Sequence, residues 1–304
     1  MSASIGADNP HLILVAGDIY YCDVQECIDD YFEKVVGNIA SQAYFMTSAG
    51  NHEYYQPDDL ITYTSRFNFP GRVPGDPCTD LGGRCDRTEL PELWFSYDWG
   101  NVHFVSINLG KDHEKPFTGS TIIEPGEQRY EWLRSDLAAA SADSDIDWIV
   151  VSAHYSLYNW GKDESHASDD EARMVLESLL QQYGVDLFIG GHQHSYERTL
   201  PVGNNGADVD LSSCGSAPYS TCTNPLYPIY IMVGTGGRSF YRDNSSSCGN
   251  AANCNLWSAE KLLGSYGHAR FTVNGTSMTV EFVDIDRAVL DQVTISKDGD
   301  GGAP

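Results

Sequence analysis

The strongest constraint on the fold is a repeated unit in which a short apolar segment ends in a polar residue and a helix-like segment follows. Short buried strands that alternate with amphipathic helices are typical of α/β folds. The polar residues that end the strands are therefore expected at one edge of a sheet, where ligands of α/β proteins collect. The predicted strands of this kind are residues 11–16, 46–49, 147–153 and 185–189.

The segments between and after these strands are predicted to form helices, a hairpin and a long loop within one domain. Helical spacing of apolar residues predicts helices at 26–44, 126–140 and 169–183, and residues 93–98 and 101–108 are predicted to form a hairpin. Residues 54–92 are rich in Pro, Gly and aromatics, which indicates a long ordered loop. No linker divides the chain, so we expect one domain over 1–304, with a core at about 11–240 and antiparallel C-terminal strands at about 265–297.

Charge and apolar run lengths exclude two classes of partner. The chain has 18 Lys and Arg against 43 Asp and Glu, a formal net charge of −25. Such a chain repels nucleic acid and anionic lipid unless a basic patch intervenes, and none is evident. The apolar runs are far shorter than the roughly 18 residues of a membrane span. We therefore predict that neither nucleic acid nor a membrane is a partner.

Eight cysteines fall into four close couples within polar, loop-like text. Their irregular spacing differs from that of zinc knuckles and favours four local disulfides in sequential order, with free cytosolic thiols as the alternative. The sequons at Asn244 and Asn274 also suit an extracellular surface. The first residues lack the features of a signal peptide, so a secreted protein whose leader is absent from this chain is expected. The couples are Cys22/Cys27, Cys78/Cys85, Cys214/Cys222 and Cys248/Cys254.

Asp18, Asn51, His154 and His192 each follow a predicted strand. Taken one at a time, they have ordinary explanations as a cap, a turn residue or core histidines. Their recurrence in register indicates a shared site instead. Carboxylate, amide oxygen, phenol and imidazole together form a ligand set suited to iron, zinc or manganese rather than to calcium.

The motifs around these residues resemble those of the calcineurin-like metallophosphoesterases and, within them, the purple acid phosphatases. The resemblance implies a four-layer α/β/β/α sandwich of two mixed sheets flanked by helices. The Tyr three places after the first Asp, and Tyr-Glu-Arg after the last His, are what select the purple subgroup. The matching segments are GDIYYCD at 17–23, GNHEYY at 50–55, VSAHYSLYN at 151–159 and GGHQHSYERT at 190–199.

The resemblance also implies roles for individual residues. It makes His52 a substrate-contacting histidine and candidate acid, and His166 a second histidine at the mouth of the site, with a surface-loop position as the alternative for His166. Tyr20 competes with Tyr21, and the family's spacing favours Tyr21. The implied metal ligands are Asp18 as the bridge between two metals, Tyr21 and His194 at an Fe(III) site, and Asn51, His154 and His192 at a site for Zn, Mn or Fe(II).

The function implied is a secreted acid phosphatase that hydrolyses phosphate monoesters with a metal-bound hydroxide as nucleophile. Two alternatives stay open: a nucleotide or phosphodiester hydrolase on the same metals, and a noncatalytic binding protein. The family's first Asp-x-Gly ligand motif has no counterpart here, because Asp8 is the only acidic residue before Asp18 and lacks the glycine. We therefore expect this chain to hold one metal more readily than two and to be weakly active.

Overall fold

The protein is described by a computed structural model, which covers residues 1–21, 26, 29–30, 32–33, 37–54, 63, 66–67, 93–109, 125–160, 170–240 and 254–298. The helices are α1 Ser2–Ala7, α2 Gly37–Ala40, α3 Asn51–Tyr54, α4 Gln128–Ala142, α5 Asp170–Gln182 and α6 Cys254–Trp257. The first strands are β1 Leu12–Val15, β2 Tyr44–Thr47, β3 Phe95–Trp99, β4 Val102–Ser106, β5 Trp148–Ser152, β6 Leu187–Gly190 and β7 Tyr196–Thr199. The remaining strands are β8 Val202–Gly203, β9 Asp208–Val209, β10 Thr221–Thr223, β11 Ile229–Val233, β12 Ser258–Leu262, β13 Gly267–Asn274, β14 Ser277–Asp284 and β15 Val289–Ser296.

The strands form two main sheets. The larger has seven strands in the order β12-β7-β11-β6-β5-β4-β3, in which the central strands β11, β6, β5 and β4 run parallel. The smaller has four strands in the order β10-β15-β14-β13, and its long C-terminal strands are antiparallel. In addition, β1 and β2 form a parallel pair. The chain is thus an α/β protein with mixed sheets, as predicted.

The seven-stranded sheet is buried on both faces. In β5, Ile149 and Val151 join the core that includes the apolar side of α4 and α5, whereas Trp148 and Val150 join a second core. That second core also contains Val280 of β14, so it lies between the two sheets. Burial on both faces explains why the central strands are nearly continuous apolar runs. Because β5 and β6 are parallel neighbours, their carboxyl ends lie at the same edge of the sheet.

Most of the predicted segments are confirmed, including the β3–β4 hairpin, α4, α5 and the three C-terminal strands. The predicted end of the helix at 26–44 is wrong, because the described helical part ends at Ala40 and Tyr44 already begins β2 opposite Leu12. The prediction missed β7 and β12. Most of the loop predicted at 54–92 lies outside the described residues.

One predicted disulfide is confirmed and one sequon can be located. Cys214 and Cys222 form a disulfide with a Cα separation of 4.0 Å. The other three couples fall wholly or partly outside the described residues, as does Asn244. Asn274 is exposed at the turn between β13 and β14. No helix in the residues that the structure covers has both the length and the apolarity to cross a membrane.

Candidate metal centre

The ends of β1, β2, β5 and β6 bring all six predicted ligands together. Asp18 and Tyr21 follow β1, while Asn51 opens α3 just after β2. His154 follows β5. His192 and His194 lie in the short connection between β6 and β7. These residues come from distant parts of the chain, so the site depends on the assembled fold.

Three of the six form a tight triangle of ligand atoms. His154 Nε2 lies 2.9 Å from Asn51 Oδ1 and 3.1 Å from His192 Nδ1, and His192 Nδ1 lies 3.0 Å from Asn51 Oδ1. Asp18 Oδ1 is 3.4 Å from His154 Nε2. Ligand atoms of Asp18, His154 and His192 all lie within 4.8 Å of one another. This is the spacing that a single cation can span.

Of the other two predicted ligands, Tyr21 contacts the opposite oxygen of Asp18, and His194 contacts Tyr21. The Tyr21 hydroxyl donates to Asp18 Oδ2 at 3.1 Å and also lies 3.1 Å from His194 Nε2. The two carboxylate oxygens of Asp18 therefore face two different ligand groups, as a bridging residue requires. Tyr20 is buried in the apolar core instead, which leaves Tyr21 as the tyrosine at the site.

The hydrogen-bond partner of His154 Nδ1 limits the number of protons that the three atoms of the triangle can share. His154 Nδ1 is 2.8 Å from the carbonyl oxygen of Ala16, so Nδ1 carries a proton, and a ring with that single proton presents a lone pair on Nε2. Three acceptor atoms, those of His154, Asn51 and His192, then share at most one proton, on His192 Nδ1. All three side chains are buried. Buried nitrogen and oxygen atoms that converge in this way, with a ring nitrogen held by a backbone carbonyl, form a donor set that a metal ion fits.

His194 is oriented in the same way. Its Nδ1 is 2.8 Å from the carbonyl oxygen of Ser239, which leaves Nε2 as the acceptor that faces Tyr21. Metal-binding histidines commonly have the non-binding nitrogen held by a carbonyl or carboxylate, which fixes the tautomer. Both halves of the centre therefore have histidines pre-oriented by backbone carbonyls.

Unusual backbone conformations bring the ligands this close. Asp18 and His192 adopt positive φ values of 52° and 66°. Such conformations cost about 1–3 kcal/mol each in non-glycine residues and cluster at functional sites. A Cβ on Gly50 would lie 2.3 Å from Asp18 Oδ1 and 2.8 Å from His154 Nδ1, so only glycine fits there. The glycines of the motifs thus allow close approach at the centre.

Glu53 is a residue of the site that the sequence analysis did not single out. It is fully buried, and its carboxylate accepts the backbone N–H groups of Asp18 at 2.9 Å, Gly50 at 2.6 Å and Ile19 at 2.8 Å. Burial and then the charge of Asp18 raise the pKa of Glu53, while the backbone N–H groups oppose that rise. Glu53 therefore ties the loop after β1 to the loop after β2. The available signal was its place in Gly-Asn-His-Glu, three residues after Gly50.

The remaining predicted residues have different outcomes. The backbone N–H of His52 donates to Asp18 Oδ1 at 3.0 Å, and its half-buried ring lies against the Tyr21 ring with centroids 4.0 Å apart. His166 lies outside the described residues. The Asp8 carboxylate binds His268 at 2.7 Å and Arg270 at 2.8 Å on β13, so it belongs to another cluster, as expected.

Comparison with known proteins finds relatives named as acid phosphatases. Acid phosphatase type 7 of Danio rerio is 28% identical over 311 residues, which cover 95% of this chain and 62% of that protein. A relative from Arabidopsis thaliana named "Probable inactive purple acid phosphatase 9" is 26% identical over 318 residues, covering 98% of this chain and 45% of the relative. The chain spans less than two thirds of the length of these relatives.

A solved structure shows the same fold. A purple acid phosphatase isolated from yellow lupin (Lupinus luteus) seeds superposes with a TM-score of 0.69 at 24% identity, over 98% of this chain and 48% of that one. The family model "Calcineurin-like phosphoesterase" matches residues 3–196, and "Iron/zinc purple acid phosphatase-like protein C" matches residues 227–292. The chain therefore belongs to the calcineurin-like phosphoesterases, with a C-terminal part of the purple acid phosphatase type.

Proposed function

We propose that this chain is the catalytic part of a two-metal acid phosphatase that hydrolyses phosphate monoesters. The observation that carries the proposal is the buried triangle of His154, His192 and Asn51, in which three acceptor atoms share at most one proton. The names of the relatives, acid phosphatase and purple acid phosphatase, support the substrate class.

The ligands divide into two groups around Asp18. Phenolate and carboxylate oxygens suit a trivalent ion, whereas imidazoles suit a softer divalent ion. Bound metals would supply positive charge that binds the phosphate ester, activates water and offsets the charge of the transition state. The proposed groups are Tyr21 and His194 with Asp18 for Fe(III), and Asn51, His154 and His192 with Asp18 for Zn, Mn or Fe(II).

The residues around the ligands have their own tasks in the hydrolysis. Glu53 fixes the loop that presents Asp18 by accepting three backbone N–H groups. Cleavage of the ester P–O bond leaves an alkoxide that needs a proton, and His52 at the edge of the site is the proposed donor. His166 remains a proposed second histidine at the mouth of the site.

The same centre is compatible with two other outcomes. A nucleotide or phosphodiester substrate would use the same metals, because substrate choice depends on loops around the centre. A noncatalytic protein is the second outcome, and one relative is named as inactive. The substrates tested distinguish the first outcome from a monoesterase, and metal content measured together with activity distinguishes the second.

The first experiment measures metal content and hydrolysis of 4-nitrophenyl phosphate and bis(4-nitrophenyl) phosphate by the same preparation. We expect bound metal, one equivalent more readily than two, and weak hydrolysis that is faster for the monoester than for the diester. His154→Ala should remove both bound metal and activity. His11→Ala, which removes an exposed histidine outside the centre, is the matched control and should change neither. Metal without hydrolysis of either ester would favour the noncatalytic outcome, and absence of metal would refute the proposed centre.

Secretion is part of the proposal and is supported by surface features. The Cys214–Cys222 disulfide and the exposed sequon at Asn274 suit an extracellular protein. Expression through the secretory route of a eukaryotic cell should add a glycan at Asn274. A glycosidase-sensitive mass difference that Asn274→Gln diminishes would support this, and an unchanged mass would contradict it.

A further inference from the structure

Arg238 lies beside the metal centre and has no role in the ligand set. It follows the glycine-rich segment 234–237 after β11, and its side chain is exposed. Its guanidinium carbon lies 5.0 Å from the centroid of the Tyr21 ring. The His52 ring contacts the same tyrosine. The proposed proton donor and this arginine therefore border one ring at the accessible side of the centre.

The loop that presents Arg238 is tied to the centre and to the second sheet. The N–H of Gly234 donates to the carbonyl of Ser195 at 3.0 Å, and His194 Nδ1 lies 2.8 Å from the carbonyl of Ser239. The buried hydroxyl of Thr235 donates to the carbonyl of Gly267 at 2.7 Å. A Cβ on Gly234 would lie 1.8 Å from the carbonyl oxygen of Gln193. Arg238 is thus held next to the centre by contacts on both sides of its position in the chain.

The positive charge of Arg238 contrasts with the net negative charge of the molecule. The chain has a formal net charge of −25, so an anionic substrate is repelled at long range. Within the described residues, no carboxylate is seen to pair with Arg238, whose observed contact is the face of Tyr21. A guanidinium presents five N–H donors in a planar fork that matches phosphate oxygens. Its donors are therefore available to a ligand at the mouth of the centre.

Building on the proposed phosphatase function, we propose that Arg238 binds a second phosphate group of the substrate, so that the centre prefers phosphate monoesters bearing another phosphate. Metals bound by the ligand set would hold the phosphate that is hydrolysed, and His52 would protonate its leaving group. Arg238 lies over the ring of Tyr21, whereas the hydroxyl of Tyr21 faces Asp18 and His194, so the arginine can hold a more distant anionic group. Binding of this kind lowers KM more than it raises kcat.

The test compares two sugar phosphates that share a leaving-group type, fructose 6-phosphate and fructose 1,6-bisphosphate. We expect Arg238→Ala to lower kcat/KM for the bisphosphate roughly tenfold, the factor for one exposed charge-assisted hydrogen bond, mainly through KM. The loss for the monophosphate should be several times smaller. Arg238→Lys should lie between, because it keeps the charge and loses the fork. Arg134→Ala, an exposed arginine on α4, is the matched control and should change neither substrate.

The outcomes separate this inference from the function on which it rests. Equal losses for both substrates, or no loss for either, would overturn the role of Arg238 while leaving the phosphatase intact. If the wild-type chain hydrolyses no ester, the proposed function fails, and calorimetric binding of the same two sugar phosphates becomes the test. A selective loss of bisphosphate affinity in Arg238→Ala would then still support the inference. Unchanged affinity, or no binding by the wild type, would refute it.

Discussion

Two buried polar clusters of this molecule differ in whether their donors and acceptors balance. Around Asp291, the Arg198 guanidinium donates at 2.7 and 2.8 Å to the two carboxylate oxygens, and the Tyr196 hydroxyl donates at 2.7 Å. At the centre after β5 and β6, by contrast, the ligand atoms of His154, Asn51 and His192 are acceptors that share at most one proton. The first cluster is completed by the chain itself, whereas the second is one that the proposed cation would complete.

Residues of both clusters are buried, but we expect the Asp291 cluster to affect mainly the free energy of unfolding and the His154 cluster mainly metal binding. A balanced cluster contributes to folding, and its disruption leaves an uncompensated buried charge. An unbalanced cluster contributes little or opposes folding until its ligand binds, when the binding energy adds to stability. The comparison therefore predicts opposite responses to substitution in the two places.

The largest effect is expected from Asp291→Ala. It leaves the Arg198 guanidinium buried without its carboxylate, which should lower the free energy of unfolding by about 3–5 kcal/mol. Urea unfolding of the metal-free chain measures this loss, with Asp208→Ala, an exposed carboxylate, as the matched control. Asp291→Asn, which keeps one acceptor, provides a milder variant if the first does not fold. A decrease in the free energy of unfolding of less than about 1 kcal/mol in both variants would contradict the proposed difference between the two clusters.

The second prediction concerns Asn51→Ala in the unbalanced cluster. Removing this acceptor should change the unfolding free energy of the metal-free chain by less than about 1 kcal/mol, because the acceptors compete for too few donors. Metal affinity should fall by more than about 100-fold, beyond the 10–100-fold typical of outer-shell changes. Competition with a chelating dye measures the affinity. A large loss of stability without loss of metal would show that the cluster is complete on its own.

A third, smaller effect is expected from Glu53→Gln. Among the described residues, Glu53 contacts the centre through backbone N–H groups, and a glutamine would turn an NH₂ group toward those donors. We expect a 10–100-fold loss of metal affinity, the range for residues that orient ligands. Glu131→Gln, at an exposed position on α4, should leave the affinity unchanged. Wild-type affinity in Glu53→Gln would remove Glu53 from the site.

Sequence patterns singled out Asp18, Asn51, His154 and His192 because each follows a predicted strand and has a polar side chain. The family resemblance added Tyr21 and His194. They could not predict the carbonyls of Ala16 and Ser239, which orient His154 and His194, because any residue type supplies a carbonyl. The sequence also could not identify Arg238 as a residue near the candidate site, since it contacts Tyr21 only in the folded chain. These groups depend on long-range packing rather than on local pattern.

The missed strands have a similar physical cause. Residues 196–199 are buried on both faces although three of the four are polar, because Arg198 and Glu197 have hydrogen-bond partners. Alternation of apolar and polar residues is therefore absent from β7. The edge strand β12 is half-buried along its whole length and gives no clear period of two. Patterning detects strands with an apolar face and overlooks those held by polar contacts.

The smallest effect is expected at a third cluster, in which pH determines whether the hydrogen-bond donors match the acceptors. His103 lies between two carboxylates, with Nδ1 2.6 Å from Asp98 Oδ1 and Nε2 3.0 Å from Asp136 Oδ2, while the Ser96 hydroxyl donates to the other oxygen of Asp136. Burial lowers the pKa of His103, but the hydrogen bonds to Asp136 and Asp98 outweigh it and raise the pKa above its usual value. Only the doubly protonated ring can donate to both carboxylates, so acid makes this cluster balanced.

The sign of the pH dependence follows from that raised pKa. The stabilisation is fully present below the unfolded pKa of about 6.5 and is lost as pH rises through the folded value. We therefore expect the difference in unfolding free energy between wild type and His103→Gln to be larger at pH 5.5 than at pH 8.5, by at most about 1 kcal/mol because Asp98 is largely exposed. His11→Ala should show no such difference. Equal values at the two pH values would mean that one proton is enough for His103, and that the balance of donors and acceptors in this cluster does not change with pH.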